Sequence, residues 1–230
     1  MSPDRVARLA SALDGEHGGA VLERVLGVAV TMLDLCSASV AVVTDGEHGG
    51  AVARAGDLSV PVDELQFDLG EGPCVDADRT GIAVLEPDLG QADAAWPAFA
   101  AAATAQGIQA VFAFPLRIGA VRMGVLGLYR ATSGPLHPVD LGDAVALASV
   151  CTHVLLDAQD SPGALLPGRL PDVLDHRRQV HQATGMVAAQ LGLDPAGALA
   201  RLRARAWADG RPIDDVAADV VGRVLRFHEG

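Results

Sequence analysis

Asp160-Ser161-Pro162-Gly163-Ala164-Leu165-Leu166-Pro167-Gly168-Arg169-Leu170-Pro171 is the stretch that decides how this chain folds. It holds three prolines and two glycines in twelve residues. Proline lacks the N–H that a helix interior needs and clashes with the preceding turn, so the segment reads as a linker spanning 160–171. On its N-terminal side, residues 1–159 show mixed helical and strand-like patterning. On its C-terminal side, residues 172–230 are helical throughout. There are no internal repeats.

Upstream of the linker, a helix is expected from about Ala20 to Cys36, where Val21, Val25, Val28, Met32 and Leu35 recur at helical spacing. Strand-like runs follow at Ala38–Thr44, Ala51–Ala55, Ile82–Glu86, Gln109–Arg117 and Val121–Arg130. Ile118-Gly119-Ala120 is a hairpin-length turn between the last two, and Pro115 predicts an edge or a bulge in the fourth. Further helices are expected at Ala95–Gln106 and Val139–Asp157. Hairpin-linked strands with helices between them predict an α/β domain, an antiparallel sheet flanked by helices rather than a doubly wound parallel sheet.

Downstream, a first helix is expected from about Asp172 to Leu191, with Val180, Ala183, Val187 and Leu191 on one face. Asp194-Pro195 is an N-cap followed by proline, and it opens a second helix that stops near Gly210. A third starts at Pro212 and is expected to bury Ile213, Val216, Ala217, Val220, Val221 and Val224. Connections of two or three residues then leave a compact three-helix bundle.

Charge is distributed unevenly between the two parts. Residues 172–230 carry eight Arg against eight Asp or Glu, so the whole net charge of −12 resides on residues 1–171. A balanced helical unit beside a repelling acidic neighbour, with arginines on helix surfaces, suits a polyanionic partner. It also suits an ordinary charge-balanced bundle. The chain has no Lys and no Asn, which excludes catalytic lysines, Schiff bases and Walker-type phosphate loops. Cys36, Cys74 and Cys151 are odd in number and in no metal-ligand spacing, as in a reducing cytoplasm. The N-terminus lacks the pattern of a secretory leader, and the apolar run Ala144–Leu156 is too short to span a bilayer. The expectation is a cytoplasmic protein with no metal, no cofactor and no membrane partner.

At 100° per residue, the second helix of the bundle turns Leu199, Leu202 and Ala206 toward its neighbours. Arg201 and Arg205 share one flank, and Arg203 and Trp207 share the other. A guanidinium beside an exposed indole suits looped RNA, whose bases stack on aromatic rings while Arg pairs with phosphate. The same pair could instead close the bundle edge by a cation–π contact, with Arg203 lying along the ring. Asp214 and Asp215 at the start of the third helix and Asp219 one turn on would repel phosphates in a major groove, so duplex DNA is not expected as its partner.

Arg178, Gln182-Ala183, Gly185-Met186, Leu202-Arg203, Ala206 and the segment from Pro212 to Val216-Ala217 resemble the ANTAR family, a three-helix RNA-binding module of bacterial antiterminators. The chain departs from that pattern at Thr184, where Lys is usual, and at Leu199, where Phe is frequent. The resemblance implies stem-loop RNA as partner, with Arg178, Gln182, Arg201, Arg203, Arg205 and Trp207 as candidate RNA contacts. Upstream, Leu69-Gly70-Glu71-Gly72-Pro73-Cys74-Val75-Asp76-Ala77, Asp88-Leu89, Trp96-Pro97-Ala98-Phe99, Phe114-Pro115-Leu116 and Gly124–Tyr129 resemble a GAF domain of the kind actinobacteria join to ANTAR. Together the resemblances imply a GAF sensor domain over 1–159, a linker over 160–171 and an RNA-binding ANTAR domain over 172–230, acting in antitermination.

Cys74, Asp88, Trp96, Phe99 and Phe112 are the candidate lining of a small-molecule pocket in the first domain, with the ligand itself unknown. Gly70-Glu71-Gly72-Pro73 could cradle an anion on backbone N–H groups, although Glu71 would oppose it; a tight turn into a short helix is the alternative. Cys74 reads as a small buried residue or a reactive thiol. Bilin attachment, haem ligation and cyclic-nucleotide binding have no matching residues. Helices at about 20–36 and 139–158 could pair across a two-fold axis, giving a homodimer, or simply pack on their own sheet. Two other function classes remain: a scaffold whose bundle contacts protein, and a thiol enzyme using Cys74, which lacks a resolving cysteine nearby in sequence. The expectation is that the chain is not an enzyme.

Overall fold

The computed structural model describes residues 19–44, 47–56, 62–92, 94–159 and 170–228, with the side chains of residues 19, 43–50, 159 and 170–178 outside that description. The described elements fall into two compact units. The first contains α1 (Gly19–Met32), β1 (Ser37–Thr44), β2 (Glu47–Gly56), α2 (Val62–Leu69) as far as Phe67, α3 (Pro73–Thr80), β3 (Val84–Glu86), α4 (Pro97–Ala105), β4 (Ala110–Ile118), β5 (Val121–Arg130) and α5 (Pro138–Gln159). The second contains α6 (Leu170–Leu191), α7 (Pro195–Asp209) and α8 (Ile213–Val221).

The five strands form an antiparallel sheet in the order β2-β1-β5-β4-β3. Ile118 pairs with Val121 across the two-residue loop Gly119-Ala120, and Gly119 takes φ 58°, a conformation glycine adopts freely. Pro115 lies beyond the last β3 pair, Val84 with Ala113, and just before a register shift at Leu116/Arg117. Both the edge and the bulge that this proline predicts are therefore present, because its missing N–H falls where β4 has run past β3.

Successive strand residues face opposite sides of the sheet. One face carries Ser39, Gly127 and Tyr129, and is covered by α2 and α3. Residues of the other pleat include Phe112, Leu128 and Arg130, whose guanidinium donates to the Leu33 carbonyl just past α1 at 2.8 Å. On that side α1 buries Leu22, Val25, Leu26 and Ala29, and α5 buries Ala144, Leu147, Cys151 and Leu155 at three- and four-residue spacing. α1 stops at Met32, four residues earlier than its periodicity suggests, where Asp34 takes φ 51° and turns the chain into β1. α5 runs longer than its apolar core and is long and apolar enough to cross a membrane. One stripe of it packs on β4, β5 and α1, while Val139, Val145 and Leu156 stay exposed.

α2 has no counterpart in the sequence reading, because Val62, Leu65, Phe67 and Leu69 fit neither a clean helical nor a clean strand period. Residues 160–169 of the expected linker lie outside the described residues. α6 begins at Leu170, which places Pro171 in its first turn, where a missing N–H costs nothing.

In the second unit Val180, Ala183 and Val187 of α6 meet Ala198, Leu199, Leu202 and Ala206 of α7 and Ile213, Val216, Ala217 and Val220 of α8 in one buried core. The Asp194 carboxylate accepts the Gly197 N–H at 2.7 Å, and Gly210 closes α7 in the left-handed conformation at φ 63°. Val221 and Val224 were expected in this core and are not buried there. α8 ends at Val221, which is half-buried; Arg223 takes φ 60°, and Val224 is 80% exposed beyond the apolar stripe.

Candidate functional sites

The face of the sheet beneath α2 and α3 holds a buried polar cluster. Tyr129, the single Tyr of the chain, points its hydroxyl into it from β5. That hydroxyl lies 3.2 Å from Ser39 Oγ, accepts from Gln66 Nε2 at 3.3 Å and lies 3.6 Å from Cys74 Sγ. Gln66 Oε1 accepts the backbone N–H of Cys74 at 2.7 Å. All four residues are almost wholly buried. Desolvation pushes the Cys74 thiol up to about 11 and raises the Tyr129 phenol well above its ordinary value, so both stay protonated at neutral pH.

Two glycines make the space. A Cβ at Gly127 would stand 2.5 Å from the Tyr129 hydroxyl and 3.0 Å from Cys74 Sγ. A Cβ at Gly72, where φ is 133°, would stand 2.6 Å from Gln66 Cγ and Oε1. At the margin of the cluster, Arg54 on β2 grips the buried Asp63 of α2 with two bonds, Nε to Oδ1 at 3.0 Å and a terminal nitrogen to Oδ2 at 2.7 Å. The same guanidinium reaches Glu64 at 2.7 Å.

The five expected pocket residues do not converge. Cys74 belongs to the cluster. Trp96 is buried against α3 and donates its indole N–H to Asp76 at 3.0 Å. Phe99 is fully buried in α4. Phe112 pairs with Leu128, so the pleat directs it to the face opposite Cys74, where Arg130 stacks over its ring at 5.6 Å. Asp88 is a capping residue, accepting from the Gly90 N–H at 3.1 Å and the Gln91 side chain at 2.6 Å. Ser39, Asp63, Gln66 and Tyr129 escaped the sequence reading, and the lone tyrosine of an aromatic-poor chain was the available signal. Glu71 does not oppose an anion bound to glycine amides. It is itself the anion at a helix N-terminus, accepting the N–H groups of Ala98 and Phe99 at 2.8 Å each.

The second site is the surface of α7. Arg201 and Arg205 are exposed, Trp207 is 63% exposed, and Arg203 is half-buried. Arg205 pairs with Asp209 one turn on at 2.7 Å. Gln182 lies exposed on α6; the side chain of Arg178, also on α6, lies outside the described residues. Thr184 turns inward and donates to the Val180 carbonyl at 2.8 Å, so the position is part of the core. On α8, Asp215 near the start is exposed and Asp219 toward the end pairs with Arg211 at 2.8 Å.

The chain belongs to the GAF domain family, whose model matches residues 19–156, and an ANTAR domain follows at residues 169–221. Both are non-catalytic modules, and their tandem is an architecture of signal-responsive regulators. No curated protein matches the chain.

Among solved structures, the GAF domain of an Acinetobacter phosphoenolpyruvate-protein phosphotransferase is 12% identical over 71% of this chain and 99% of that one, with a TM-score of 0.55. The corresponding domain from Coxiella burnetii is 14% identical over 68% and 94%, at a TM-score of 0.54. Free methionine-R-sulfoxide reductase from Neisseria meningitidis, in complex with its substrate, is 17% identical over 68% and 89%, at 0.53. These likenesses concern the fold of the first unit.

Proposed function

We propose that this protein is a signal-responsive RNA-binding regulator that acts by transcription antitermination in the cytoplasm. The ANTAR domain binds stem-loop RNA, and the GAF domain senses a small molecule or dimerises. The observation that carries this reading is Trp207, an indole 63% exposed on α7 with Arg203 one turn before it. An indole left in water on a soluble bundle offers a stacking platform for an unpaired base, and Arg201 and Arg205 on the neighbouring flank offer charge for phosphate. Exposed ion pairs such as Arg205–Asp209 contribute little and can be exchanged for a phosphate. The acidic residues of α8 support RNA loops over duplex DNA.

A homodimer is the proposed assembly. α1 and α5 pack together, and α5 also leaves Val139, Val145 and Leu156 exposed. Sedimentation of the full chain tests that part.

Gel-shift titration with tandem hexaloop stem-loops tests the RNA reading. Affinity above that for scrambled RNA, lost with Trp207→Ala and Arg203→Ala, is the expected result. Equal affinity for both RNAs, indifferent to both substitutions, would instead assign the α7 surface to a protein contact.

A further inference from the structure

We propose that Gln66 is an internal stand-in for a ligand, and that α2, which carries it, is a latched lid over a site for a small neutral molecule bearing a carboxamide. This rests on the reading of the first module as a sensor. The carboxamide of Gln66 is fully buried and uses both ends: its oxygen takes the Cys74 N–H, and its nitrogen donates to the Tyr129 hydroxyl. Ser39 completes the wall through Tyr129. Placing a flexible polar side chain in a core costs rotamer entropy and desolvation that an aliphatic residue would avoid. The surroundings are shaped for that amide: only a residue without Cβ fits at Gly72 beside it and at Gly127 beneath Tyr129 and Cys74.

α2 is tied down at its start by Arg54, which is half-buried and grips Asp63 from the margin of the cluster. At its end stands Gly72, whose φ of 133° is a conformation that glycine adopts without strain. Releasing Arg54 and withdrawing Gln66 would leave the Cys74 N–H without its acceptor and free one side of the Tyr129 hydroxyl, in the place the amide had filled. A planar group with adjacent acceptor and donor satisfies both. Burial is the main reason that the Cys74 thiol and the Tyr129 phenol stay protonated, and the nearby Asp63 carboxylate acts in the same direction, so a neutral amide suits this desolvated place where a carboxylate does not.

Thiol labelling of the full chain under native conditions tests the lid, with Cys74 as reporter and the buried Cys151 as internal control. Arg54→Gln is expected to speed Cys74 alkylation about 10-fold or more while leaving Cys151 unchanged, the signature of local rather than global opening. Gln66→Ala removes a fragment the size of acetamide. Added acetamide is expected to slow Cys74 alkylation in that variant and raise its melting temperature, whereas acetate does neither. Parallel acceleration of Cys74 and Cys151 in Arg54→Gln would overturn the lid, and this arm stands even where Gln66→Ala does not fold. Absence of acetamide protection in a folded Gln66→Ala protein would overturn the stand-in role. Both arms are read without RNA, so loss of stem-loop binding would remove the regulatory reading while leaving the gated site in place.

Discussion

Glu71 caps the helix that carries Phe99: its carboxylate accepts the Phe99 backbone N–H at 2.8 Å and the Ala98 N–H at the same distance. The loop before α3 is thereby fastened to the start of α4, two segments separated by a full helix, a strand and a 3₁₀ turn. Pro97 opens α4 and the preceding Trp96 offers no side-chain cap, so the carboxylate supplies what the local sequence lacks. Glu71→Ala should lower stability by about 1–2 kcal/mol, and Glu71→Gln by less, in urea titrations of the full chain.

Gly127→Ala tests the tight packing beneath Tyr129. The new methyl has no space at 2.5 Å from the phenol oxygen, and the sheet pair Ala113–Gly127 leaves β5 little freedom to retreat. A loss of roughly 1–3 kcal/mol is expected from overpacking. Near-UV circular dichroism should show the displacement of Tyr129, and an unchanged spectrum with wild-type stability would falsify the packing assignment.

Alkaline pH should destabilise the protein through its buried thiols. Unfolded cysteines release their protons near 9.0, but burial holds Cys74 to about 11 and Cys151 to about 12. Between those values the unfolded chain binds fewer protons than the folded one, so stability is full below pH 9 and falls as pH rises. Cys74 alone accounts for a loss on the order of 3 kcal/mol by pH 11. Urea midpoints measured from pH 8 to 11 check the slope, and Cys74→Ala should flatten it.

On α7, burial separates core positions from those proposed to touch RNA. Leu202 is fully buried, so Leu202→Ala should cost about 2–5 kcal/mol. Trp207→Ala should leave stability within about 0.5 kcal/mol, while weakening stem-loop binding roughly 10- to 100-fold through lost stacking. Thermal melts and gel shifts on the same samples distinguish the two effects.

Asp209→Asn should strengthen RNA binding. It removes a carboxylate 2.7 Å from Arg205 and costs almost no stability, since an exposed pair of this kind is worth about 0.5 kcal/mol. A titration at two salt concentrations checks it: the variant should show higher affinity and a steeper salt dependence.

Much of this was legible in the sequence because it is local. The Asp194-Pro195 cap, the Gly210 stop, the Gly119 hairpin and the Pro115 bulge depend on neighbours a few residues away, and each stands where its residue type demands. The outlying errors share a cause. Val224 continues the apolar spacing of α8, but Arg223 reverses the backbone before it; α2 has no regular period because its burial is set by what lies beneath it. The candidate pocket was misjudged in the same way: aromatic character marked Phe112 as a pocket residue, but strand register placed it on the other face from Cys74.

The chain's own residues determined two modules split by a proline-rich stretch, an antiparallel sheet followed by a helical bundle, and the exposure of Arg201 and Arg205 on α7. These follow from periodicity, caps and breakers, which act within one or two turns. Tertiary structure alone decided that Glu71 caps α4, that Arg54 holds Asp63, and that Gln66, Cys74, Ser39 and Tyr129 share one buried site. Those residues span positions 39 to 129, and no local rule relates them. They meet because strand pairing brings β1 beside β5, and the pleat then aims Ser39 and Tyr129 at the helix that carries Gln66.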